Sequence, residues 1–224
     1  IVKLYCHILN YRASTRSVDP RPFFNRRSVR SPMTVREVAA EVYRETLPVL
    51  ILSAIGGLFA GLVLVGMEAE LEAVPGLLVL VPALLATRGN VYGSLGARLG
   101  SALHQGIIEP TLGLGDDRLN AAIAAALANG VLVSGFAAVL AVVVLALLGS
   151  ESAGLATLVA IALIAGLLSG LLLTVAVVTV VVVGYRRGLD PDTLAGPVVT
   201  TTGDVVGIAT MLVAARIVLA LGGG

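Results

Sequence analysis

Long runs of Leu, Val, Ala, Ile and Gly, separated by short polar stretches, organise this chain. They cover Leu47 to Gly66, Val74 to Leu103, Leu119 to Leu148, Gly154 to Val183 and Leu194 to Leu221. A helix needs roughly 20 apolar residues to cross a hydrocarbon core of about 30 Å, and every run is that long. The later runs, at about 30 residues, would rise about 45 Å if straight, so tilts or breaks are expected. The pattern predicts an all-α integral membrane protein built as a five-helix transmembrane bundle. Ahead of it, residues 1–33 read as a basic, loosely ordered segment punctuated by Pro20, Pro22 and Pro32. Thr34 and Glu37 stand at the N-cap and N3 positions of a capping box, opening an amphipathic cytoplasmic helix over 34–46. Residues 47–224 then form the transmembrane domain, with Pro48 in the first turn of its first helix.

Composition sharpens the class. Only 13% of the 224 residues are charged and 57% are hydrophobic, with a mean hydropathy of +0.99. A soluble domain carries roughly 25% charged residues, so the deficit points to lipid. With no Trp, an interfacial belt rests on Tyr92 and Tyr185, and 26 Gly imply close helix packing. Gly57-x-x-x-Gly61, Gly166-x-x-x-Gly170 and the Ala-rich third helix are the packing motifs, and one of them is a candidate dimer face. A net charge of +1 carries no nucleic-acid footprint, and no nucleic-acid partner is expected. The lone Cys6 allows no internal disulfide. The first apolar run follows some 46 polar residues, so no cleavable signal peptide is expected.

Basic residues orient the bundle. Lys3 and eight Arg precede the first membrane helix, Arg118 lies between the second and third, and Arg186 and Arg187 follow the fourth. Glu68, Glu70 and Glu72, and then Glu151, occupy the alternate loops. The positive-inside rule puts the N-terminus inside and the C-terminus outside, in a multi-pass protein of the cell membrane. The acidic loop reads either as a cation-concentrating mouth or as a solvated turn.

The second and fifth membrane helices echo each other. Thr87 to Gly93 aligns without gaps on Thr201 to Gly207, sharing Thr, Gly, Val and Gly, with Asn90 opposite Asp204. Pro82 and Pro197 precede the two segments, and both helices are expected to be interrupted there. Interrupted segments in opposed helices are the sequence sign of a midplane binding site. Asp204 is the strongest single signal. A carboxylate at that depth costs roughly 2.5–3.5 kcal/mol on insertion scales, so it must face water, an ion or a partner. The plain structural alternative is an Asp204 that is protonated or paired with Arg88. Arg88 is expected to turn from the pore toward carbonyls freed by the break, or toward Asp190. Arg98 and Arg216 lie nearer the helix ends, where they can snorkel. Thr200, Thr201 and Thr202 add oxygen atoms, while Gly203 and Gly207 allow close approach. Oxygen-only surroundings suit a hard cation, and a wide site with few carboxylates suits hydrated Mg²⁺. Asp190 and Asp192 cap the fifth helix or form an inner vestibule. His104 reads as structural, and Asn129 as an interhelical hydrogen-bonding group.

At these residues the chain resembles the membrane domain of the MgtE family of magnesium channels and the related eukaryotic magnesium solute carriers. The stretches that carry the resemblance are Pro82-Ala83-Leu84, Thr87-Arg88-Gly89-Asn90, Leu95 to Leu99 and Ala102 to His104. With them go Asp190-Pro191-Asp192, Pro197, Thr200 and Gly203-Asp204. The resemblance implies a homodimer whose second and fifth helices line a central pore, with a hydrated magnesium at Asp204. It further implies a water-mediated contact at the Thr200 carbonyl, a pore motif at Gly89 and Asn90, and Asp190 on the cytoplasmic side.

One departure stands out. Typical bacterial members carry a large cytoplasmic domain and paired CBS domains, for which the residues ahead of the first membrane helix are too few. Separate regulatory subunits are therefore an open expectation. Three functions follow in order: a divalent-cation channel or transporter, an ion-coupled magnesium exchanger, and a non-transporting assembly or sensor subunit. The last predicts Asp204 buried against Arg88. No Ser-His or paired-carboxylate constellation stands at membrane depth, so an enzyme is not expected.

Overall fold

The computed structural model describes residues 35–112, 115–187 and 191–222. The basic segment 1–33, the capping residue Thr34 and Asp190 lie outside them. The helices are α1 (Val35–Val65), α2 (Glu68–Ala73), α3 (Leu77–His104), α4 (Asp117–Leu147), α5 (Leu155–Arg186) and α6 (Pro191–Gly222). The first turns of α1, to Val42, belong to a separate unit of the chain, and Tyr43 onward belongs to the bundle. No helix boundary separates the expected amphipathic segment from the first membrane helix, because α1 is continuous. Strong helix formers such as Ala39, Ala40, Glu41 and Glu45 run up to the join, and no Gly or Asn stops it.

Among the described residues, α3, α4, α5 and Val199–Gly222 of α6 are long and apolar enough to cross a membrane. A shorter apolar stretch, Ser53–Val65, ends α1. Their outward faces are apolar: Leu58 is 72% exposed, Leu132 70% and Phe136 66%. Large apolar side chains turned outward along whole helices call for lipid rather than water around them. α3 packs on α4, α5 and α6, and α5 also packs on α4 and α6.

Two hydrogen-bonded ends bracket the bundle. At one, Ala153 N–H donates to the Pro75 carbonyl at 2.8 Å, and Arg216 of α6 pairs with Glu70 of α2 at 2.7 Å. At the other, Arg186 Nε donates to the Pro110 carbonyl at 2.5 Å. From α3 to α6 successive helices therefore alternate in direction, and α6 runs antiparallel to α3. Asp116 caps α4, accepting from the N–H groups of Arg118 and Leu119.

Of the acidic loop, only Glu70 turns inward; Glu68 and Glu72 stay exposed. The hydrogen bond from Arg216 holds the Glu70 carboxyl below its ordinary value of 4.5. A carboxylate depressed in the folded state adds stability above that value, and the gain disappears as pH falls through the folded value. Thermal unfolding in detergent from about pH 6 to about pH 3 is expected to show this acid limb. Glu70→Gln should flatten it, and an unchanged limb would leave the ion pair without a role in stability.

Small residues let the helices touch. A Cβ at Gly166 would stand 2.5 Å from Ser134 Oγ, and one at Gly130 would stand 2.5 Å from the Tyr92 hydroxyl. Gly170 also abuts Tyr92, so Gly166-x-x-x-Gly170 is a packing motif within the bundle. Gly57 and Gly61 meet nothing within 4 Å. Tyr92 is thus a buried wedge, only 1% exposed, rather than part of an interfacial belt. Asn129 also departs from expectation. It faces outward on α4 and makes no hydrogen bond among the described residues, because the face of α4 that meets its neighbours carries Ala126, Ser134, Ala137 and Ala141 instead.

Candidate functional site

Helical periodicity divides α6 into two faces. Val199, Gly203, Gly207 and Met211 recur every four residues and are buried. Thr200, exposed, and Asp204, half-buried, stand on one flank of that stripe; Thr202, half-buried, stands on the other, about 200° from Asp204, with Thr201 half-buried between them. The carboxylate of Asp204 makes no hydrogen bond or ion pair among the described residues. Thr200 Oγ1 donates back to the Gly196 carbonyl at 3.2 Å. Thr201 and Ser53 of α1 share a hydroxyl hydrogen bond at 3.2 Å. Beside that bond lies a cleft of about 600 Å³ between α1 and α6, lined by Ile55, Phe59 and Leu62 and by Thr201, Val205 and Val206.

α3 divides the same way. Leu84, Arg88, Tyr92, Leu95 and Leu99 form its buried stripe, and Ala86, Asn90, Ser94 and Ala97 an accessible one. Gly89 and Gly93 are half-buried. Residues two apart on a helix stand about 200° apart, so Asn90 faces away from Arg88.

Contacts at Gly207 register the two helices. A Cβ there would stand 2.6 Å from Arg88 Nη1 and 2.8 Å from Leu85 Cδ2. Because the helices are antiparallel, stepping back three residues on α6 matches stepping forward three on α3. Asp204 is therefore level with Gly89 and Asn90, and the two echoing segments cross at that height. No hydrogen bond links Asn90 to Asp204, and among the described residues no three of His, Cys, Asp and Glu converge.

Two expectations need correction. Neither helix is interrupted: α3 continues through Pro82, and α6 through Pro197. Each proline leaves one carbonyl a turn earlier without its donor, and a helix in lipid tolerates this where neighbours pack around it. In a continuous helix the Thr200 carbonyl is directed at the Asp204 N–H, leaving one lone pair for a water.

Arg88 likewise finds no carbonyl freed by a break. It is 3% exposed and reaches α5, where Nε donates to Ser169 Oγ at 2.7 Å. Nη2 donates to the Ala165 carbonyl at 3.4 Å. Ser169 Oγ itself donates to that carbonyl at 2.6 Å. Nη1 has no partner among the described residues, and Arg88 does not pair with Asp204. The pairing foreseen for a non-transporting subunit is thus not formed. Sequence reading missed Ser169, whose only signal was a hydroxyl amid Leu and Gly in the α5 span. His104 is structural: Nδ1 donates to the Gly100 carbonyl at 2.9 Å, and its ring meets Tyr185 edge-on at 5.6 Å.

Fold and site define a class: a multi-pass helical membrane protein with a half-buried Asp on one spanning helix that has no ion-pair partner among the described residues. Within that class, the profile of the MgtE family, a divalent cation transporter, matches residues 81–214. The chain belongs to the MgtE family, a family of transporters rather than of enzymes. No curated protein matches the chain.

Proposed function

We propose that the chain is one half of a magnesium channel. Two copies set the accessible faces of α3 and α6 around a shared axis, giving five crossings per copy with the N-terminus inside. A hydrated Mg²⁺ sits near the midplane between the Asp204 carboxylates. Thr200 and Asn90 contact its waters, and Gly89 and Gly203 keep the wall thin enough for an ion that sheds water reluctantly. Asp190, outside the described residues, is assigned to the cytoplasmic mouth by the family resemblance alone.

The observation that supports this reading is the carboxylate of Asp204, half-buried and without a partner among the described residues, on an apolar spanning helix, level with Gly89 and Asn90. A lipid-facing carboxylate is costly, and a second copy with an ion between the two removes that cost.

Mg²⁺ uptake into proteoliposomes tests it. Wild-type protein should carry Mg²⁺ down its gradient without added Na⁺ or a pH difference. Uptake that needs either gradient would replace the channel with an exchanger, and no uptake at all would count against transport by this chain alone. The shared axis has its own test. Asn90→Cys, placed in a Cys6→Ser background, should cross-link into a dimer under mild oxidation. Leu132→Cys on the outward face of α4 should stay monomeric, and equal cross-linking at both would sink the arrangement.

A further inference from the structure

A buried guanidinium with no carboxylate partner among the described residues lies one helical turn from the proposed ion site. Arg88 is 3% exposed, its Nη1 has no hydrogen-bond partner among the described residues, and that nitrogen is the atom a Cβ on Gly207 would meet at 2.6 Å. Asp204 precedes Gly207 by three residues, a rise of about 4.5 Å. Ser169 Oγ and the Ala165 carbonyl hold the other guanidinium nitrogens from α5. The charge is therefore fixed by three helices, and it can neither snorkel to an interface nor swing onto the carboxylate without breaking both bonds. A neutral Gln or Met would avoid the cost of burying a cation among apolar residues, so the retained charge points to work at this depth.

We propose that Arg88 is a positioning residue for transport, a fixed positive charge behind the pore wall that weakens the hold of Asp204 on a divalent ion so that the ion leaves. The inference rests on the reading of Asp204 as the ion site. Conduction needs an ion to bind well enough to enter and weakly enough to depart. A divalent cation has twice the charge of a monovalent one, so a fixed cation nearby repels it twice as strongly at the same distance. Gly207 belongs to the same device, since without a side chain it lets the guanidinium lie against α6.

The experiment compares wild type, Arg88→Gln, Arg88→Lys, Gly207→Ala and Asp204→Asn, each reconstituted at matched incorporation. Two quantities are read: the Mg²⁺ concentration giving half-maximal uptake, and the maximal rate. Mg²⁺-dependent thermal stabilisation in detergent reads affinity even from a variant that no longer conducts. Arg88→Gln should lower the half-maximal concentration about tenfold and lower the maximal rate, while Arg88→Lys stays near wild type. Gly207→Ala, which pushes the guanidinium from α6, should shift affinity in the same direction by a smaller factor. A purely structural Arg88 would lower the maximal rate without tightening Mg²⁺ in either assay. That result, or equal behaviour of Gln and Lys, overturns the proposal. If Asp204→Asn keeps wild-type uptake, the ion site itself is misplaced. Loss of uptake in Asp204→Asn with no tightening in Arg88→Gln leaves the site standing and removes Arg88 from it.

Discussion

Asp204→Asn is expected to abolish divalent-cation flux while leaving the protein folded. The substitution keeps the size and polarity of the side chain and removes its charge. At roughly 5 Å, the distance of an ion that keeps its inner waters, one carboxylate attracts a divalent cation by about 1.7 kcal/mol even at the dielectric of bulk water. Two facing carboxylates make that about 3 kcal/mol, so flux at low Mg²⁺ should fall on the order of a hundredfold. Asp204→Ala should match it, and Asp204→Glu, which keeps the charge on a longer arm, should retain part of the activity. Stability should move the other way. An unneutralised carboxylate at membrane depth is a cost to the fold, so the thermal midpoint of Asp204→Asn in Mg²⁺-free detergent should equal or exceed that of wild type. Loss of flux together with a lowered midpoint would make Asp204 structural instead. Unchanged flux would move the search to Asp190 or to Glu68 and Glu72, since Glu70 is held by Arg216.

The second large effect is structural. Gly170→Ala places a methyl group against the Tyr92 hydroxyl and 3.3 Å from Leu127 Cδ2. Tyr92 is wedged between α4 and α5 and cannot retreat, so α3, α4 and α5 must separate. Overpacking of this kind costs about 1–3 kcal/mol, which should appear as a thermal midpoint lower by several degrees. The hydroxyl has no partner among the described residues, so Tyr92→Phe alone should be neutral or stabilising. Combined with Gly170→Ala it should recover most of the loss, because the clashing atom is gone. Additive effects in the double variant would show that the methyl group strikes the ring or Leu127 rather than the hydroxyl.

Much of this was legible in the chain. Runs of about 30 apolar residues anticipate α3 to α6 to within a few residues at each end, because in lipid a helix must satisfy its own backbone groups. The recurrence of Thr, Gly, Val and Gly marked the segments that cross at one height in the bundle. Less legible was the state of their backbones. Pro82 and Pro197 read as breaks, yet each removes one hydrogen bond only, and packing on neighbouring helices carries both helices through. Partner choice was the least legible of all. Nothing near Arg88 in the sequence pointed to Ser169, which is 81 residues away. Nor did anything pair Glu70 with Arg216, which is 146 residues on.

By itself, then, the sequence determined the solvent, the helical class and the family, since hydropathy and a motif of spaced Thr, Gly and Asn are local properties. It also singled out Asp204, because a carboxylate within an apolar run is conspicuous whatever surrounds it. Only the tertiary structure decided which faces are inward. It turned Tyr92 and Arg88 into the bundle, left Asn129 outside, and set Asp204 level with Asn90. The physical reason is that charge and volume have to be balanced across helices. A guanidinium finds its oxygen atoms, and a tyrosine its two glycines, only where the packed helices bring them together.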